Sequence, residues 1–385
     1  MRVSEPLRTG LSFDDVLLVP QRTSLTSRRH ADTTTRLLPG VRLRLPLVSA
    51  NTQWCTGDRM AAAMARHGGM GFLHRMQTVA QQVAQLDAVK AVRPSPDDAD
   101  RATLAADGRL FVGAAVGVTG DWRERAEQLA AHAVDLLLVD VAHGHSDRVV
   151  TALAELRKAL PELPLVAGNV ATPEGVRDLA EAGADVVKVG IGPGGVCTTR
   201  LVAGTGVPQL TAVMDCAAAA DDAGVRIIAD GGIRQSGDIA KCLAAGAHAV
   251  MLGSALAGAD ESAATPVTKD GRSYRVSNGF VSLGMELTLR RAAGERISRA
   301  EVDDYVPEGV EVTFPASGPL PRTLRRLVGG VQSAMSYSGA PDLAAFRERA
   351  EFIRVTGAGR AENLPHARER SEQIDIDHVA QAVRE

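Results

Sequence analysis

Aromatic residues are scarce in this chain: Trp, Tyr and Phe together make up 3% of 385 residues. That scarcity excludes a stacking platform for single-stranded nucleic acid. Charge of one sign is missing too, since basic and acidic residues are interspersed and the net charge is −3. No nucleic-acid or membrane-surface field is implied. No apolar run approaches a membrane span, and residues 1–6 have no apolar core of signal-peptide length. Four cysteines do not make a disulfide framework, so Cys55, Cys216 and Cys242 read as reduced and unpaired. What remains is 45% hydrophobic content on a chain long enough for one large domain or two ordinary ones. The expectation is a cytoplasmic enzyme.

Short apolar runs ending in Gly, Asn, Asp or His recur along the chain, at 45–51, 69–74, 110–117, 134–143, 163–169, 184–192, 225–232 and 247–254. Amphipathic stretches such as 122–133, 173–182 and 237–245 lie between them. Runs that are apolar throughout suit parallel strands buried on both faces. Eight such alternations predict an α/β fold of the closed (β/α)8 TIM-barrel type, one domain over 1–385, with chemistry at the strand C-termini. Residues 90–108 read as a short polar connector. Residues 260–321, mixed and rich in Gly and Pro, read as a long catalytic flap after the eighth strand.

The segment from Val189 to Arg200 carries the strongest chemical signal. An apolar run ends in a glycine-rich turn that delivers Cys197, then Thr198, Thr199 and Arg200. Glycines let backbone approach a ligand and offer amides to an anion. A thiolate there, near a cation, is placed as a nucleophile. Gly190, Gly192 and Gly195 also satisfy the dinucleotide spacing, with Asp215 at the required distance. That reading fails in context, because Gly204, Gly206 and Pro208 follow where a helix should open, and Asp215 lies inside a helical pattern. His143 and His145 have a metal-compatible spacing without a third ligand nearby, so no metal site is expected.

The cysteine loop resembles that of the IMP dehydrogenase and GMP reductase family, in which the cysteine bonds to carbon 2 of a purine nucleotide. The resemblance runs from residues 11–20, similar to the family's N-terminal arm, to about 358–366. It implies catalytic roles for Cys197, for Thr199 and for Glu308 of the flap. It implies substrate contacts at Asn51, Gly195, Asp230, Gly232, Gly253, Ser254, Gly279 and Phe280, with Asp230 on the ribose and Gly253–Ser254 on the phosphate. On the cofactor side it implies Asp140, His143, Gly144, Asn169, Gly190 and Gly192. It admits a monovalent cation at Gly192, Gly194 and Cys197, and it implies a homotetramer using NADPH, with NAD as the alternative.

The two branches of the family differ in their flaps and in a regulatory insertion after the second strand. Dehydrogenases hydrolyse the covalent adduct with a flap Arg-Tyr pair and usually carry the insertion; reductases expel ammonia and lack both. Between Gly284 and Glu308 no Arg is followed by Tyr, and only the connector stands where the insertion would lie. The expectation is a GMP reductase-type enzyme; the alternatives are a dehydrogenase with an unusual flap, or a homologue acting on a modified (7-deaza)purine nucleotide. Four departures from both branches motivate the last. They are Thr52-Gln53-Trp54 for Met-Asp-Thr, Gly195 for Ser, Arg75 for Lys, and the loop at 277–281.

Overall fold

A computed structural model describes residues 7–98, 100–277, 298–299, 301 and 312–363. Its centre is a closed parallel barrel. The strands are β1 (Leu47–Ser49), β2 (Met70–Leu73), β3 (Gly113–Val116), β4 (Leu136–Asp140), β5 (Leu165–Val170), β6 (Val186–Val189), β7 (Arg226–Asp230) and β8 (Ala249–Leu252). They pair in chain order, and β8 closes on β1. Among the described residues the longer helices are α1 (Asp58–Arg66), α2 (Val79–Ala91), α3 (Trp122–Ala131), α4 (Asp147–Ala159), α5 (Pro173–Glu181), α6 (Gln209–Ala223), α7 (Ser236–Ala244) and α8 (Leu320–Tyr337). Seven of the eight apolar runs contain one strand each, and the eighth strand, β5, overruns its run by Val170. The strands are shorter than the runs because the run ends turn over at the barrel mouth.

Local chemistry explains the helix boundaries. Thr172 caps α5 by accepting from the Gly175 amide, with Pro173 at the first helical position. Gly224, at φ +70°, ends α6 in the left-handed conformation that glycine adopts without penalty.

Strand side chains alternate between two cores. Val48, Met70, Phe72, Leu136, Leu138, Val166, Val186, Ile228 and Met251 fill the barrel interior, joined by Leu37, Leu38 and Leu43 of an antiparallel hairpin (Thr35–Leu38 with Val41–Leu43). Gly113 is small for a reason: a Cβ there would lie 2.4 Å from the Phe72 ring, which takes that volume. The residues between these face a second cluster under the helices. Two positions further along, the interior series turns titratable at His74, Asp140, Lys188 and Asp230.

Two additions surround the mouth, and a third, the connector, lies at the opposite end of the barrel, where α2 leads into β3. The N-terminal arm pairs Val16–Leu18 antiparallel with Phe352–Arg354, and Lys241 Nζ donates to the Phe13 carbonyl (2.7 Å). Within 260–321, Thr265–Lys269, Arg272–Ser277 and Val312–Pro315 form an antiparallel sheet. The connector holds a short turn, Pro96–Asp98, in which fully buried Asp98 pairs with Arg66 (2.8 Å) and Arg101 (2.7 Å). Burial opposes the Asp98 charge, but Arg101, Arg66 and Ser95 outweigh it and hold the carboxyl below its usual range. Among the described residues no helix is long and apolar enough to cross a membrane.

Candidate active site

The loops at the strand C-termini enclose a cavity of about 650 Å³, reached by the arm residues Ser12, Phe13 and Asp14. Residues from the far ends of the sequence reading meet here. Cys197, Thr199, Asn51, Asp140, Asn169, Asp230, Gly190, Gly192, Gly194, Gly195, Gly232, Gly253 and Ser254 all line it. A mouth at this end of a barrel is where such folds gather their chemistry.

Cys197 is half-buried on the turn after β6. Its amide donates to the Gly194 carbonyl (3.1 Å), and its Sγ lies 3.2 Å from Thr199 Oγ1. The other three cysteines are buried in the cores; burial pushes the Cys55 thiol up to about 11 and the Cys216 thiol up to about 12. Those three are inert packing residues. Arg200 donates to the Val207 carbonyl (2.6 Å) and so holds the loop that leads into α6.

The turn after β6 is tied to the turn after β7. Gly190, at φ +148°, leaves room for the Asp230 carbonyl, which a Cβ there would meet at 2.0 Å. Gln209 at the start of α6 donates to both the Val189 (2.9 Å) and Asp230 (3.0 Å) carbonyls. Across the cavity, a Cβ on Gly195 would lie 3.2 Å from Ser254 Oγ, so the glycine turn and the loop after β8 converge. Their amides, with the Ser254 hydroxyl, make a place for an anion.

Below this lies a polar network that the sequence reading found only in part. Lys188 Nζ is 2.8 Å from Asp140 Oδ1 and 2.7 Å from Asp230 Oδ2. Asn51 Nδ2 donates to Asp140 Oδ2 (2.9 Å). Asn169 Nδ2 donates to Asp230 Oδ2 (3.0 Å) and to the Gly190 carbonyl (2.7 Å). Both of those partners are acceptors, so the amide orientation of Asn169 is fixed, and its Oδ1 is buried without a partner.

Lys188, Gln209 and the arm residues were missed. Period-two alternation would have flagged Lys188, since Val186 points inward and Lys188 follows it on the same face.

Not every expected residue reaches the cavity. His143 is exposed and packs edge-on to His145, whose ring meets Asp178 at 2.7 Å. Gly144 donates its amide to the Asn169 carbonyl (2.6 Å), which places it behind the wall. Glu308, Gly279 and Phe280 lie outside the described residues. Asp215, the acid of the rejected dinucleotide reading, sits in α6 paired with Arg8 (2.8 Å). Among the described residues no three His, Cys, Asp or Glu side chains gather as a metal site.

Two of the departures, the Thr52–Trp54 segment and Gly195, shape the wall. Trp54 and Thr52 both line the cavity. The Trp54 ring lies against Gly253, where a Cβ would meet it at 3.0 Å, and stacks on Phe314 of the antiparallel sheet with centroids 5.8 Å apart. Trp54 Nε1 and Thr52 Oγ1 are buried without partners. Arg75 is largely buried near Asp140, and burial, the largest influence, pulls its pKa below the arginine norm.

Residues 10–366 match the IMP dehydrogenase / GMP reductase domain family. The chain is 37% identical to inosine-5'-monophosphate dehydrogenase of Bacillus subtilis, covering 93% of this chain and 96% of that protein. It is 34% identical to GMP reductase of Leishmania major, covering 94% and 97%. Among solved structures it resembles a Cys-to-Ala variant of GMP reductase from Trypanosoma brucei in complex with guanosine 5'-monophosphate, with a TM-score of 0.87, 33% identity, and coverage of 94% and 99%. The aligned spans of 471 and 479 residues exceed this chain's 385, so the Bacillus and Leishmania proteins both carry inserted residues that it lacks. The insertion expected only of dehydrogenases is thus matched by extra length in a reductase, and its absence does not sort the branches.

Proposed function

We propose a reaction for this chain on the premise that it belongs to the IMP dehydrogenase / GMP reductase family, a family of purine-nucleotide oxidoreductases. The reaction is reductive deamination of GMP: GMP, NADPH and two protons give IMP, NADP⁺ and ammonium. The observation that carries this reading is the pairing of Cys197 with Thr199 at 3.2 Å on a glycine turn inside the shared cavity. The family resemblance of this site and the solved relative with GMP bound support it.

In this reading the nucleotide phosphate lies on the Gly195 and Ser254 loops, and Gly232 and Gly253 let backbone come close to it. Asp230 accepts hydrogen bonds from the ribose diol. Asn51, Gly279 and Phe280 complete the nucleotide side. Cys197 Sγ attacks purine carbon 2; Thr199 and Glu308 pass a proton to the departing amine, general-acid work that needs groups within hydrogen-bond reach. The thioether–imidate left on Cys197 then waits for reduction rather than hydrolysis, because the flap brings no Arg-Tyr pair to activate water.

The cofactor side fits as well, since Asn169 keeps a buried, unpartnered Oδ1 at the cavity wall. Asn169, Asp140, Gly190 and Gly192 would hold the nicotinamide riboside, while His143 and Gly144 do not line the cavity. When bound, the reduced nicotinamide supplies hydride to carbon 2. A monovalent cation would sit on the carbonyls of Gly192, Gly194 and Cys197. The family also supports a cytoplasmic homotetramer, with residues 260–321 as its flap.

A second reading, a modified purine such as a 7-deazapurine ribotide, is favoured by one observation: Thr52, Trp54 and Gly195 all line the cavity. A thermal-shift panel of GMP, IMP, XMP and 7-deazapurine ribotides separates the two. A ligand at a thousandfold its dissociation constant stabilises by about 4 kcal/mol. GMP is expected to shift the transition; a shift with the modified nucleotide alone would replace the first reading. The reductase direction is tested by following reduced nicotinamide. GMP with NADPH is expected to be consumed, and sustained NADH from IMP and NAD would overturn the assignment.

A further inference from the structure

Lys188 is a buried cation one inward step above the apolar interior of the barrel, between two carboxylates. It is 3% exposed and follows Val186 on the inward face of β6. Its two partners come from different strands and carry different assignments: Asp230 of β7 the nucleotide ribose, Asp140 of β4 the cofactor. Three of the four carboxylate oxygens are occupied within this group. Lys188 takes Asp140 Oδ1, Asn51 takes Asp140 Oδ2, and Lys188 with Asn169 takes Asp230 Oδ2. The Asp230 side chain is 22% exposed against 8% for Asp140. Asp230 Oδ1 is therefore the oxygen left for a ligand in the cavity.

We propose that Lys188 is a positioning residue that ties the two carboxylates together and keeps Asp230 ionised and aimed at the ribose diol. This rests on the nucleotide reading given above. Burial opposes the Lys188 charge, but Asp140 and Asp230 outweigh it, and its pKa lies above the usual lysine value. The ammonium thus stays charged across neutral pH.

Removing it leaves two neighbouring carboxylates at a buried site, and such a pair takes up a proton. Arg75, at the end of β2, still acts on Asp140, and Asn51 still donates to it. Lys188 is the one cation paired with Asp230 among the described residues, and Asn169 is neutral. The proton therefore settles on Asp230 and weakens it as an acceptor.

The test is calorimetric binding of GMP at about pH 6 and about pH 8.5 to the full chain, Lys188→Met, and Lys188→Met with Asp140→Asn. The unsubstituted protein is expected to show only the pH dependence of the GMP phosphate, whose second ionisation falls at about pH 6, and serves as the reference at each pH. Lys188→Met is expected to lose about ten- to a hundredfold at the lower pH, the range for a hydrogen bond to a charged group, and to recover as the pH rises. The double variant has a single carboxylate and is expected to follow the pH dependence of the unsubstituted protein again. It also carries the test if the single variant does not fold. Affinity in Lys188→Met equal to the unsubstituted protein, or an equal loss at both pH values, overturns the proposal, as does a pH dependence in the double variant steeper than that of the unsubstituted protein. Failure of the unsubstituted protein to bind any purine nucleotide instead removes the functional reading, and this inference with it.

Discussion

Two levels of one barrel, separated by a single step of the strand register, do opposite things. The lower interior is closed by Leu138, Val186 and Ile228, all fully buried. Two residues on, the same three strands present Asp140, Lys188 and Asp230 to a cavity. The lower level is satisfied by packing alone. The upper level is satisfied by its own ion pairs and the amides of Asn51 and Asn169, and it keeps the unpartnered Asn169 Oδ1 at its rim. The contrast teaches that the strands set both levels, while the loops decide which one meets a ligand. Stability and chemistry can therefore be damaged separately.

The largest expected effect lies on the upper level. Cys197→Ala should abolish turnover while leaving GMP affinity within about tenfold, since the binding contacts come from other loops. Steady-state rates and calorimetry read both quantities; retained turnover would remove the nucleophile assignment. Thr199→Ala and Glu308→Gln should each cost about 10²-fold or more in kcat. The double variant should cost little more than the worse single, as groups acting as a unit are non-additive. Additive losses would show that they serve separate steps.

On the lower level the sign of the comparison reverses. Phe72→Ala should cost about 3–5 kcal/mol of folding free energy, measured by denaturant titration, because Gly113 opposite it leaves nothing to collapse into the gap. The folded fraction should keep its GMP affinity; a selective loss of affinity would mean that the two levels are not separable.

The smallest effect is a pH slope at the boundary between them. Burial, then Arg125, pushes the His74 pKa down from 6.5 to about 4, so the folded protein holds it neutral. The unfolded chain takes up that proton first. The His74 contribution is therefore complete above about pH 6.5 and is lost as the pH falls towards 4. His74→Gln should flatten the melting temperature over that window, and an unchanged slope would assign the acid sensitivity elsewhere.

How much of this could be read in advance follows from the same alternation. The eight strands were legible because strands buried on both faces are apolar without interruption. Cys197 was legible because the glycine turn that carries it is written in consecutive residues, and Asp230 and Ser254 through the family resemblance of their loops. Lys188 was not, since a lone lysine in an apolar run declares itself only once the inward register is known. Gln209 was hidden for another reason: its role is to join two backbone turns from a third element. The arm's arrival at the cavity depends on pairing between residues more than 330 positions apart, Val16 with Arg354, which no local pattern encodes.

The central claim is that the upper level carries hydride to purine carbon 2 of a nucleotide held on Cys197 and expels ammonia. The most direct measurement supplies GMP with NADPH deuterated at the transferring position and examines the products by mass spectrometry and an ammonia assay. The account expects IMP carrying one deuterium at carbon 2, with one ammonium released for each NADPH oxidised. XMP, or IMP without deuterium, would contradict it.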